Sequence, residues 1–154
     1  MPTIEHLDLV VSDLGRSLPF YRELLRPLGW RGQREVAGER GETIHYLWGA
    51  GIRGSIGLRE KQSDAHPVPY DRYGVGVHHV ALMARSRRRV NERAAWLGEQ
   101  EGVEVLSGPG PFNYTPGYFA VFFRDPDGIK LEIVHRPLWR VPFTRRGRRT
   151  PRSM

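Results

Sequence analysis

The sequence predicts an α+β fold built from two tandem βαβββ modules, on three observations. At an offset of 73, His6-Leu7-Asp8-Leu9-Val10-Val11 lies over His79-Val80-Ala81-Leu82-Met83-Ala84, two short apolar runs each opened by a histidine. The same offset lays Asp13 over Ser86, both good helix N-caps, and Gly29 over Gly102, both suited to ending a helix. Each helix-like stretch is then followed by three strand-like stretches separated by loops.

The elements follow in order. The run from His6 is a strand, and Leu14 to Leu28 reads as the first helix. Pro19 qualifies that helix, because proline is comfortable only in a first turn; either the regular helix starts at Ser17 or the turn from Asp13 is irregular. Trp30 to Val36, Thr43 to Trp48 and Gly54 to Arg59 are the strands that complete the first module. In the second, the strand from His79 leads to a helix over Arg87 to Glu101, where Val90, Ala94 and Leu97 form an apolar stripe. Val103 to Leu106, Tyr118 to Arg124 and Ile129 to His135 are its strands, the last two joined by the strong turn Asp125-Pro126-Asp127-Gly128. The breaker-rich stretch from Gly108 to Gly117 is expected to be an irregular loop, either a lid carrying Phe112 and Tyr114 over a ligand or plain surface.

Composition bounds the function. No apolar stretch approaches the length of a membrane span, and the N-terminus lacks the basic and apolar regions of a secretory signal, so the expected location is the cytoplasm. With no cysteine, disulfides and thiolate ligands are excluded, and a metal would be held by imidazole and carboxylate. The net charge of +7 is matched by seven arginines, with no acid, from Arg136 to Met154. The rest of the chain is therefore neutral, which argues against nucleic acid as a partner. We expect a single domain over residues 1–136, with modules at about 3–62 and 76–136, and a basic tail over 137–154 that is disordered beyond about Thr144. Trp139 and Phe143 leave docking of that tail open.

The His6 strand, the stretch "SDLGRSLPFYRELLRPLGW" from Ser12, "GVHHVAL" from Gly76 and "FFRDPDGIKLEIVH" from Phe122 together resemble the vicinal oxygen chelate superfamily. That group holds glyoxalases, extradiol dioxygenases, fosfomycin-resistance enzymes and bleomycin-binding proteins; the resemblance covers about residues 3 to 136. It implies that the modules curl into one mixed half-barrel sheet around a metal site, with the helices outside. It implies the ligands His6, His79 and Glu132, a divalent ion such as Fe, Mn, Ni, Co or Zn, and a homodimer. Two imidazoles and a carboxylate suit such an ion and leave positions open for a small substrate.

A fourth ligand, usual in glyoxalase sites, is absent. Counting from Trp48 and Phe123, the second residues of the pairs Leu47-Trp48 and Phe122-Phe123, gives a local offset of 75 and places Gly57 opposite Glu132; only a slip would bring Glu60 into place. The expected function is a metal-dependent lyase, isomerase or epimerase acting on a small molecule chelated through neighbouring oxygens. Two alternatives compete with it, an extradiol-type dioxygenase and a non-catalytic, ligand-sequestering protein. Ring cleavage is disfavoured, because Asn113, Tyr114 or Thr115 stands where a histidine is expected and Phe122 where a tyrosine is expected. If Phe122 faces the metal, alternation turns Ala120 and Tyr118 the same way, and the offset of 75 maps Ala120 onto His45. Tyr118 and His45 are thus the candidate acid or base groups, with Tyr114 and Phe122 as candidate substrate contacts.

Overall fold

The computed structural model describes residues 4–51, 54–65 and 70–137. The expected tail beyond Pro137, with its aromatic residues Trp139 and Phe143, lies outside them. The first module comprises β1 (His6–Val11), α1 (Leu14–Leu25) with a 3-10 turn over Arg26–Leu28, β2 (Trp30–Ala37), β3 (Thr43–Gly49) and β4 (Ser55–Glu60). The second comprises β5 (Val80–Met83), α2 (Arg87–Leu97), β6 (Glu104–Pro111), β7 (Phe119–Arg124) and β8 (Lys130–His135). Both run as βαβββ, in agreement with the repeat.

The sheets correct the expected fold class. Instead of one curled half-barrel there are two separate four-stranded mixed sheets, ordered β1-β4-β3-β2 and β5-β8-β7-β6. Neither is closed or curled. The reason lies in the pairing: among the described residues β1 bonds only to β4 and β5 only to β8, both in parallel, and no ladder joins one module to the other.

What joins the modules is side-chain packing. Leu9, Val11, Leu47, Ile56 and Leu58 share one apolar core with Leu82, Val121, Phe123, Leu131 and Ile133, and both helices contribute to it. Phe20 of α1 stacks on Trp96 of α2 at 5.6 Å between ring centroids. By strand alternation, the residues between these core positions make up the open face of each sheet, turned away from the core.

The Asp-Pro-Asp-Gly turn adds a polar connection. Asp125, 1% exposed, accepts from the backbone N–H groups of Asp127 and Ile129 through Oδ1 and from the buried Tyr21 hydroxyl through Oδ2 at 2.7 Å. Asp127 receives Ser12, Arg16 and Ser17 from the start of α1. A turn that closes the last hairpin of one module thereby also grips the first helix of the other.

Three local expectations change. Helix α2 ends at Leu97 with Gly98 as its C-cap, short of the expected Glu101 and Gly102. Helix α1 is regular from Leu14, capped by Asp13, and passes through Pro19. Residues 108–111, expected to be loop, extend β6, with Gly110 opposite Ala120 and Pro111 opposite Phe119. Proline is tolerated there because β6 is the edge of its sheet and needs no outward N–H partner.

Candidate metal centre and its surroundings

The open face of the second sheet is built by β5, β7 and β8. Glu132 stands between Ala81 and Phe122 in the ladders, and Tyr118, Ala120 and Phe122 share its side of β7. Although on the open face, Glu132 is only 1% exposed. Its Oε1 accepts from the Tyr118 hydroxyl, and its Oε2 lies 3.3 Å from Nε2 of His79. Burial, and then the hydrogen bond to Glu132, push the Tyr118 hydroxyl well above its ordinary pKa, so this phenol keeps its proton at neutral pH.

Aromatic rings wall this pair. Phe112 stacks on Tyr114 at 5.9 Å and meets Phe122 edge-on at 5.1 Å, while Tyr114 meets Tyr118 at 5.2 Å. The loop after β6 therefore carries Phe112 and the exposed Tyr114 to the side of the site. His78 and His79 lie just before β5, and instead of turning to opposite faces their rings meet, with the two Nδ1 atoms 2.7 Å apart.

On the open face of the first sheet, His6 pairs with Glu5, and that hydrogen bond is the main cause of its raised pKa. Its ring meets Tyr46 edge-on at 5.7 Å. The ladders place Gly57 opposite Asp8 just as Glu132 is placed opposite Ala81, which makes Gly57 the counterpart of Glu132. The space beside Gly57 is taken. A Cβ there would collide with Asp8 Oδ1 and stand 2.8 Å from the Tyr46 ring. Asp8 Oδ2 accepts from Arg59 and, at 3.4 Å, from Tyr46, while Arg59 also reaches Glu42 at 2.8 Å. Asp8 Oδ1 and Arg59 Nε are buried without a hydrogen-bond partner among the described residues.

His45 does not reach this face. In the ladders it pairs with Leu58, as Val121 pairs with Ile133, so its counterpart is Val121 and it shares the core-side face of β3 with Leu47. Its Nδ1 lies 3.4 Å from Glu35. Glu60 likewise shares the core-side parity of β4, and it accepts from the N–H of Leu14 at the start of α1.

The structure brings together His79, Glu132, Tyr118, Tyr114 and Phe122, and leaves His6 on the other sheet. Among the described residues no group of three or more His, Asp or Glu is gathered to hold a metal. The donors His79 and Glu132 fit part of an N/O ligand set, and the described residues bring no third His, Asp or Glu to them. Sequence reasoning passed over Asp8, Arg59 and Lys130. Alternation from His6 to Asp8 and from Glu132 to Lys130 was the available signal.

A family model described as "Glyoxalase/Bleomycin resistance protein/Dioxygenase superfamily" matches residues 3–133. The uncharacterized protein YqjT of Bacillus subtilis (strain 168) is 30% identical over 138 residues, spanning 85% of this chain and 97% of that protein. The glyoxalase family protein from Enterococcus faecalis has a similar structure, with a TM-score of 0.61, 26% identity and coverage of 86% and 96% of the two chains. So has a glyoxylase/bleomycin resistance protein/dioxygenase domain from Frankia sp. EAN1pec, with a TM-score of 0.64, 24% identity and coverage of 88% and 98%.

Proposed function

The chain belongs to the glyoxalase/bleomycin resistance protein/dioxygenase superfamily, and from that premise we propose a divalent-metal-dependent enzyme of glyoxalase-like type. It would act as a lyase, isomerase or epimerase on a small molecule bound through two neighbouring oxygens. The observation that carries this reading is Glu132, a carboxylate 1% exposed on an open sheet face, facing the imidazole of His79. A carboxylate removed from water needs compensating partners, and one hydroxyl with one imidazole is a lean set for it.

In this reading the ion is held by His79 and Glu132 of one chain together with His6 of a second copy, in a homodimer. Two features support the second copy. His6 belongs to the open face of the other sheet, and the shared core with the grip of Tyr21 on Asp125 fixes the two modules of one chain to each other. Beside His6, Gly57 stands at the position of Glu132, and the Asp8 carboxylate that fills its space is engaged by Arg59 and Tyr46.

The chemistry supplied when a divalent ion is bound is Lewis-acid polarisation of substrate oxygens. The chain's own residues do the rest. Tyr118 fixes the orientation of Glu132 and is the proton-bearing hydroxyl on this face; Phe112, Tyr114 and Phe122 wall the substrate and exclude water. His45 takes no part. Phe122, directly across from Glu132, offers no acid or base, which disfavours the dioxygenase alternative.

A ligand-sequestering role is the second reading, supported by the 66% exposure of Tyr114 on the aromatic wall. Elemental analysis of protein purified without chelators separates the two. Stoichiometric metal that is lost in Glu132→Gln and His79→Ala supports the enzyme; no metal in the unaltered protein supports sequestration.

A further inference from the structure

We propose that the open face of the second sheet also carries an anion subsite centred on Lys130, so that the substrate is a small oxygenated acid. The place of that acid in catalysis rests on the metal-dependent reading above; the subsite itself rests on charge geometry. Lys130 lies two residues before Glu132 on β8 and shares its face. Across the β7–β8 ladder its direct partner is Arg124. Like charges placed opposite each other on neighbouring strands repel, so this pairing calls for a counter-charge.

Arg124 has one, in Glu104 at 2.7 Å. Lys130 makes no ion pair among the described residues. Its Nζ sits 5.0 Å from the centroid of Phe122, whose ring lies 6.2 Å from that of His79. The ammonium of the half-buried Lys130 is thus held over the ring that neighbours the candidate ligands.

A third cation stands at the same end of the sheet. Arg72 and Arg124 line a cavity of about 340 Å³ together with Tyr70, Asp71, Tyr73 and Gly128. Asp71 Oδ1 is engaged by the N–H of Tyr73, and Arg72 binds the Tyr73 hydroxyl at 3.2 Å while its Nε is buried without a hydrogen-bond partner among the described residues. Tyr73 in turn meets His78 at 5.5 Å, which joins the cavity rim to the histidine pair.

For a molecule bound through two neighbouring oxygens at His79 and Glu132 and carrying a further carboxylate or phosphoryl group, the cation nearest in the ladder is Lys130, held over the Phe122 ring that stands directly across from Glu132. Both groups offer charged oxygen acceptors to an ammonium, and both are strongly bound by a cation that lacks another partner. A neutral sugar or ketone would offer Lys130 no charged acceptor.

Calorimetric titration of the full chain with L-lactate and with inorganic phosphate, at constant ionic strength, tests this. Lys130→Met keeps the stem on Phe122 and removes the charge; Lys130→Arg keeps the charge. Manganese(II) binding is measured separately on each protein. The expected result is saturable anion binding that weakens about tenfold in Lys130→Met, survives in Lys130→Arg and leaves manganese affinity unchanged. The tighter of the two probes identifies the carboxylate or the phosphoryl class. Equal anion affinity in Lys130→Met, or no anion binding by a protein that binds manganese, overturns the subsite and leaves the metal reading intact. Lys130-dependent anion binding without manganese binding supports the subsite and overturns the metal reading instead.

Discussion

The carboxylate of Asp8 fills the space beside Gly57, so that the first module holds an Arg59-Asp8-Tyr46 network where the second holds Glu132. The vacancy at Gly57 is closed by packing. Even a methyl group there would collide with Asp8 Oδ1 and crowd the Tyr46 ring. Gly57→Ala is therefore expected to destabilise the protein by about 1–3 kcal/mol, as overpacking does. Urea denaturation read by circular dichroism measures it; an unchanged midpoint would show that Asp8 moves aside at little cost.

Tyr118 is expected to act through Glu132. In Tyr118→Phe, the buried carboxylate loses its hydroxyl donor, at a cost of about 1–3 kcal/mol in the metal-free protein. Loss of such an orienting partner typically weakens metal affinity about 10–100-fold. Competition with a chelating dye reads that change. Unaltered affinity would place Tyr118 outside the ligand set's support.

Asp125 gives a pH signature. Burial is the main cause of its raised pKa, so the folded protein holds this proton more tightly than the unfolded chain does, whose ordinary value is 3.8. Its contribution is greatest below that value and is lost as pH rises through the folded pKa. Asp125→Asn should lack this fall, seen as the difference in urea midpoints between variant and unaltered protein from about pH 4 to about pH 7. Two parallel profiles would show that Asp125 titrates normally.

His45→Gln is expected to leave metal content and turnover unchanged, because the side chain lies on the opposite face of the sheet from His6. A loss of turnover with metal retained would contradict the ladder assignment.

His45 also shows where the sequence stopped being legible. The offset between modules is 73 from β1 to β5, 75 from β4 to β8 and 76 from β3 to β7, as the paired ladders require. Loops of unequal length change the offset from strand to strand. Carrying 75 onto β3 was wrong by one residue, and a slip of one residue turns a side chain to the other face. The same value was correct on β4, which is why Gly57 was identified as the counterpart of Glu132. Both helices and all eight strands were readable from periodicity, caps and turns, whereas the separation of the sheets was not. Sheet closure depends on which edges pair, and the edges of β1 and β5 carry no residue pattern that states their partner. Tyr118 and Phe122 reached the correct face because alternation from Glu132's neighbour on β7 involved no change of offset.

In the proposed site, His6 of one copy completes the ligand set of His79 and Glu132 in another. Mixing tests it most directly. His6→Ala and His79→Ala proteins are each purified, then unfolded together, refolded and analysed for bound divalent metal. Each variant alone should hold none, and the mixture should regain metal, because a mixed dimer contains one site with all three ligands. Metal retained by His79→Ala alone, or none regained by a mixture shown to contain mixed dimers, would contradict the shared site.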